Sequence, residues 1–268
     1  MDRRAFLRRG GVGAAVAAVG LASFEATRLV DHVEEDHRRE RAELGQEFHG
    51  IAKVVWSVST EHRAVALTFD DGPHPRLTPR VLEVLAAHDA RATFFVVGKA
   101  ARRHPDLLRR TSEAGHEIGN HTWSHQREAD VSEDDVARDI VRGANTIEAM
   151  TGAPPQWFRS PRGVLTGGIL RTATSLGETV AMWSEAAHDL HDHEPGPIAR
   201  DLGRSLAPGR IFLLHDGTDG REDLAGLERR RERSVAALDP FLTACREGGY
   251  RFATLTELMA LATSSDRR

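Results

Sequence analysis

The chain predicts an α/β fold in which short parallel strands alternate with helices, either closing as a barrel or lying as an open, doubly wound sheet. Three observations lead there. Apolar runs of strand length recur along the chain, helical periodicity fills the intervals, and polar residues gather just after the runs. No internal repeat or low-complexity tract interrupts the pattern.

Residues 1–23 read as an address rather than as fold. An arginine-rich start precedes a Gly/Ala-rich apolar run over 10–23, shorter than the roughly 20 residues that span a bilayer and typical of a signal peptide. Arg3 and Arg4 followed by Phe6 and Leu7 resemble the twin-arginine (Tat) signature, which implies the Tat machinery as a partner and an extracellular or cell-envelope destination. No clean A-x-A site follows, so an uncleaved membrane anchor is the alternative. Residues 24–62 form a charged spacer whose mixed signs suit an exposed helix with i,i+4 pairs. The domain proper occupies 63–262, and 263–268 is a disordered tail.

Within the domain, AVALTF, ATFFVV, ETVAMW and RIFLLH have the look of buried strands. Helices are predicted over 77–88, 100–114, 132–150, 168–176 and 198–206. Ser132 with Asp135 suggests a capping box, and Gly115, Gly152, Gly177 and Gly209 sit where helices should stop.

Composition excludes several classes. With 40% hydrophobic and 28% charged residues in 268, the chain is an ordinary globular one. A net charge of −4 leaves no basic footprint for nucleic acid. The lone Cys245 excludes an internal disulfide framework or a cysteine-rich metal site, and reads as a small core filler. Arg229-Arg230-Arg231 reads as an exposed charged face, and no obligate protein partner is indicated.

Chemistry in such folds collects at the C-terminal ends of strands. Polar groups do follow the apolar runs: Asp70-Asp71-Gly72, His121 and His125, Arg159 to Gly163, Asp189, and His215-Asp216-Gly217. His121 and His125 are four apart, so on a helical turn both imidazoles would face one side and share an ion. Among fourteen histidines that spacing alone is weak. An aspartate from another strand end would complete an open zinc-type site. Two acids before a glycine are commonly only a turn. Their place after a buried strand favours one as ligand and the other as base on an activated water.

The run Thr68-Phe69-Asp70-Asp71-Gly72, then His121-Thr122-Trp123-Ser124-His125, Arg159-Ser160-Pro161-Arg162-Gly163 and Leu213-Leu214-His215, resembles the metal-dependent polysaccharide deacetylases, the NodB-homology carbohydrate esterases of family 4. The match spans about residues 65–258 with the motifs in order. The resemblance implies a distorted (β/α) barrel and hydrolysis of N-acetyl, less readily O-acetyl, groups on a polysaccharide. It implies one divalent ion held by Asp71, His121 and His125, with Zn²⁺ the default and Co²⁺, Ni²⁺ or Fe²⁺ able to substitute. Asp70 would be the general base, paired with Arg159. His215 would be the general acid, oriented by Asp189. Leu213 would line the acetyl pocket, and the backbone N–H of Arg162 would join the ion in holding the oxyanion.

Three positions depart from the family pattern. Arg162 stands where an aromatic residue is usual, and Leu190 where a tryptophan is, with Ala186 replacing an upstream acid. A non-catalytic carbohydrate-binding relative is therefore one alternative, and the two-histidine, one-carboxylate triad of non-haem iron oxygenases is another. His188, His191, Asp192, His193 and Glu194 read as a solvated rim loop, with a second metal site as the sharper alternative.

Overall fold

The computed structural model describes residues 52–187, 194–218 and 225–262, all within the unit Gln46–Arg268. The predicted signal, most of the spacer, Asp189, Leu190, the His188 to His193 cluster and the tail lie outside the described residues.

Among the described residues nine strands form one parallel sheet: β1 (Val54–Val55), β2 (Ala64–Asp70), β3 (Thr93–Val96), β4 (Glu117–Asn120), β5 (Trp157–Phe158), β6 (Thr179–Ala181), β7 (Glu185–Ala186), β8 (Ile211–His215) and β9 (Arg251–Ala253). Their spatial order is β1-β6-β5-β4-β3-β2-β8-β7, with β9 also pairing β2. β6 and β7 belong to one short stretch of chain yet stand near opposite ends of this order, so the sheet curls into a half-barrel. The sheet begins before residue 63, because Val54 and Val55 pair with Val180 and Ala181. Below, Val58 donates to the carbonyl of Gly209 at 2.9 Å. Gly209 has φ +75°, and a Cβ there would lie 1.7 Å from the Val58 oxygen, so only glycine closes this joint.

The helices are α1 (Leu77–Ala87), α2 (Gly98–Arg103), α3 (Pro105–Glu113), α4 (Glu133–Thr151), α5 (Gly167–Ser175), α6 (Pro195–Arg204), α7 (Ala225–Glu247) and α8 (Leu255–Ala260). The single helix predicted over 100–114 is two. His104 precedes Pro105 and takes φ −126°, ψ 59°, because the proline ring disfavours the α conformation just before it. Ser132 caps α4 by accepting from the Asp135 N–H, as its sequence suggests.

Strand alternation sorts β2 between two cores. Val65, Leu67 and Phe69 face outward and pack with Leu77, Val81 and Leu85 of α1 and Leu238, Phe241 and Leu242 of α7. Ala64 and Ala66 face the other way, among Phe95, Trp157, Ile211, Leu255 and Leu258. Cys245 is fully buried in the outer core, a filler as predicted, and burial pushes its thiol up to about 12.

Candidate active site

The inner face of β2 continues upward from its alanines to Thr68 and Asp70. On β8, Leu213 lies in register with Thr68, and His215 with Asp70. Period-two alternation thus brings a hydroxyl, a carboxylate, a leucine and an imidazole to one rim from two adjacent strands. The Thr68 hydroxyl donates to the Phe212 carbonyl at 2.7 Å.

Arg159, just after β5, reaches this rim from across the sheet with no exposed surface. Its guanidinium donates to Asp70 Oδ1 at 2.8 Å, Thr68 Oγ1 at 2.7 Å, the Ala181 carbonyl at 3.1 Å and the Met182 carbonyl at 2.9 Å. The cation also lies 4.2 Å from the centre of the Phe95 ring. A buried arginine is tolerated only with its donors met and its charge opposed, and here Asp70 opposes it.

His121 and His125 follow β4 on an irregular loop, not the helical turn expected from their spacing. Thr122 and His125 have φ of +67° and +53°. The loop is pinned by side chains: Asn120 Oδ1 accepts from Thr122 N–H, Thr122 Oγ1 from His125 N–H, and Asp139 of α4 from the N–H and hydroxyl of Ser124. The two rings end 5.0 Å apart. His121 Nδ1 lies 2.7 Å from the Arg159 carbonyl, which can only accept, so Nδ1 carries the hydrogen and Nε2 keeps its lone pair.

Asp71 Oδ1 lies 3.2 Å from His125 Nε2 and 3.5 Å from His121 Nε2. That buried oxygen has no hydrogen-bond partner. Ligands of a tetrahedral ion bound at about 2 Å stand roughly 3.3 Å from one another. An orphaned oxygen and two imidazole nitrogens at that spacing fit a divalent cation, and the three residues are buried. Burial pushes the Asp71 carboxyl up, but its contact with His121 and the charges of His125, His215 and His121 outweigh that and hold it well below the usual carboxylate range. Burial likewise lowers His121, and the Asp70 and Asp71 carboxylates overcome it, raising the imidazole above its ordinary value.

Arg162 has φ +57° inside the tight turn Pro161–Gly163, and its exposed guanidinium reaches within 3.4 Å of His125 Nδ1 and of the Gln126 carbonyl. Leu213 is buried beside Thr68.

Two residues without a role in the sequence reading complete the surroundings. Arg231 is buried, contrary to the expected exposed face, and its Nη2 lies 3.4 Å from Asp71 Oδ2. Arg229 and Arg230 are exposed as predicted. The signal was helical periodicity: Arg231 shares a stripe of α7 with Val235, Leu238 and Leu242, where a charge needs a buried partner. Asp216 wedges against Gly72, where a Cβ would fall 2.3 Å from its Oδ2, and accepts from the Thr78 hydroxyl at 2.6 Å. Burial, opposed by the Thr78 hydrogen bond, raises the Asp216 carboxyl to about 7.

A curled parallel sheet that gathers acids, imidazoles and a buried arginine at its strand ends has the architecture of a (β/α)-barrel enzyme. The chain matches the polysaccharide deacetylase family model over residues 57–181. It is 34% identical over 218 residues to a peptidoglycan-N-acetylglucosamine deacetylase of Bacillus cereus, covering 81% of this chain and 97% of that one. A chitooligosaccharide deacetylase of Sinorhizobium fredii is 36% identical over 196 residues, covering 72% and 91%. The crystal structure of a peptidoglycan N-acetylglucosamine deacetylase superposes with a TM-score of 0.70 at 30% identity, covering 78% and 94%. The chain belongs to the polysaccharide deacetylase family, and its fold is that family's distorted (β/α) barrel.

Proposed function

We propose that this chain is an exported hydrolase that removes N-acetyl groups from a glycan of the peptidoglycan or chitin type and releases acetate. The observation that carries this reading is the placement of the Asp71, His121 and His125 cluster beside the Asp70–Arg159 pair, with His215 in register with Asp70. The activities of the two relatives support the substrate class.

Asp71, His121 and His125 would hold one divalent ion, with zinc the default for this ligand set. When bound, such an ion supplies Lewis acidity to the acyl oxygen and lowers the pKa of water. Asp70, fixed by Arg159, takes a proton from the attacking water as its oxygen bonds to the acetyl carbon. The C–N bond then breaks, and His215 gives its proton to the departing nitrogen, leaving an amine and acetate. Asp189 would orient His215. The backbone N–H of Arg162 donates to the oxyanion, and Leu213 receives the acetyl methyl. Arg3-Arg4 and the apolar run after them support export by a Tat-type signal, with an uncleaved anchor as the alternative.

Acetate release by the purified full-length chain from chitooligosaccharides, peptidoglycan fragments and acetylated xylan tests the proposal, with chelator and then with Zn²⁺ or Co²⁺ restored. Metal-dependent release that disappears in Asp70→Asn is the expected result. Silence across the panel with metal bound stoichiometrically would favour a carbohydrate-binding relative, the reading that Arg162 and Leu190 motivate.

A further inference from the structure

Arg231 occupies a place where packing alone would select a leucine. It lies on the inward stripe of α7, 2% exposed, between the outer core and the loop that follows β2. A charge kept there costs stability unless a specific partner offsets it. Asp71 Oδ2 lies 3.4 Å from Arg231 Nη2, whereas the two imidazoles approach the other oxygen, Oδ1. Three residues earlier on the same helix, Glu228 pairs with Arg76 and approaches His74 Nε2 at 3.8 Å. Two buried charged positions of α7, three residues apart, therefore engage one loop, 71–76. The segment just after β8 also holds the end of β2 and the start of that loop: Asp216 N–H donates to the Asp70 carbonyl at 3.1 Å, and a Cβ on Gly217 would lie 2.1 Å from the Asp71 carbonyl oxygen.

We propose that Arg231 is the positioning residue of the Asp71 ligand: by holding Oδ2, it turns Oδ1 alone toward His121 and His125 and makes Asp71 a one-oxygen ligand. The inference rests on the metal-site reading above. A residue that orients a ligand commonly changes metal affinity by 10–100-fold when removed. Its sign separates orientation from simple charge: deleting a nearby cation would tighten binding of a divalent ion, whereas losing the orientation weakens it.

The test is Co²⁺ binding to full-length apoprotein, measured by competition with a chromophoric chelator and by the visible absorption of the bound ion. Arg231→Met is expected to bind Co²⁺ at least tenfold more weakly, with altered band positions and intensities. On an Asp71→Asn background, the same substitution should change affinity less than twofold, because the group it orients is gone. Unchanged affinity and spectrum in a folded Arg231→Met, tighter binding, or an equal loss on both backgrounds would each overturn the proposal while leaving the metal reading intact. Failure of the wild-type chain to bind Co²⁺ would overturn both. Should Arg231→Met not fold, Arg231→Lys, a shorter and unforked cation, is expected to weaken binding at least threefold, and unchanged affinity there overturns the proposal.

Discussion

The backbone carbonyl of Arg159 accepts the Nδ1 hydrogen of His121 at 2.7 Å. The side chain of the same arginine holds Asp70 at 2.8 Å, so one residue orients a prospective metal ligand and the prospective base together. Arg159→Met would leave the Asp70 carboxylate buried without its cation. It is expected to cost about 3–5 kcal/mol in urea unfolding, the usual penalty for breaking a buried pair. Any folded fraction should lose at least about 100-fold in kcat.

His215 sits on the inner face of β8, beside Asp70 and outside the Asp71, His121 and His125 cluster. His215→Gln should lower kcat by about 10²–10⁴, the ordinary worth of a positioned acid. Co²⁺ affinity, read by chelator competition, should stay within a few-fold of wild type. A parallel loss of metal would assign His215 to the ion rather than to the leaving nitrogen.

An ion that binds only the folded chain stabilises it by mass action, by about 2.7 kcal/mol at a hundredfold excess over Kd. Chelation should therefore lower Tm as well as abolish acetate release, and Zn²⁺ should restore both. The Tm response should vanish in His121→Ala, because Nε2 of that ring is the lone pair its Arg159 contact sets free.

Glu178 is buried and accepts from Asn120 Nδ2 at 3.1 Å, directly behind the His121 loop. Burial, opposed by that hydrogen bond, raises its carboxyl to about 8. The unfolded chain releases this proton near 4.3, whereas the folded chain keeps it, so the folded state holds more protons between those values. Stability from this group is present at low pH and is lost as pH rises toward 8. Glu178→Gln should flatten that decline and stabilise the protein by up to a few kcal/mol at pH 8 relative to wild type, a pKa unit being worth about 1.4 kcal/mol. Thermal melts of both proteins between pH 5 and 8 check it.

Gly217 has no room to grow, since its Cβ would meet backbone atoms of Asp71 and Gly72 at 2.1–2.5 Å. Gly217→Ala should push the Asp71 loop aside and reduce Co²⁺ affinity at least tenfold. Gly226→Ala, with nothing within 4 Å, is the matched control and should bind normally.

Local patterns carried much of this protein's description. Apolar runs alternating with helical periods specify parallel strands, because buried strands and amphipathic helices each have their own periodicity. Asp70, Asp71, His121, His125, Arg159 and His215 were all visible as polar residues just after those runs. The pairing of β1 was not, since two valines beside a charged segment carry too little local signal to mark a strand. The break at His104 was legible in principle, because Pro105 announces it.

Fold class, family and the identities of the groups that gather at the strand ends all follow from residue type and near spacing. Long-range packing, by contrast, makes His121 and His125 converge through a strained loop rather than a helix. It also brings Arg231, 160 residues distant in sequence, against Asp71. Such contacts are selected by the packing of whole elements, and an arginine among arginines looks solvent-facing until the helix stripe beneath it is known to be buried.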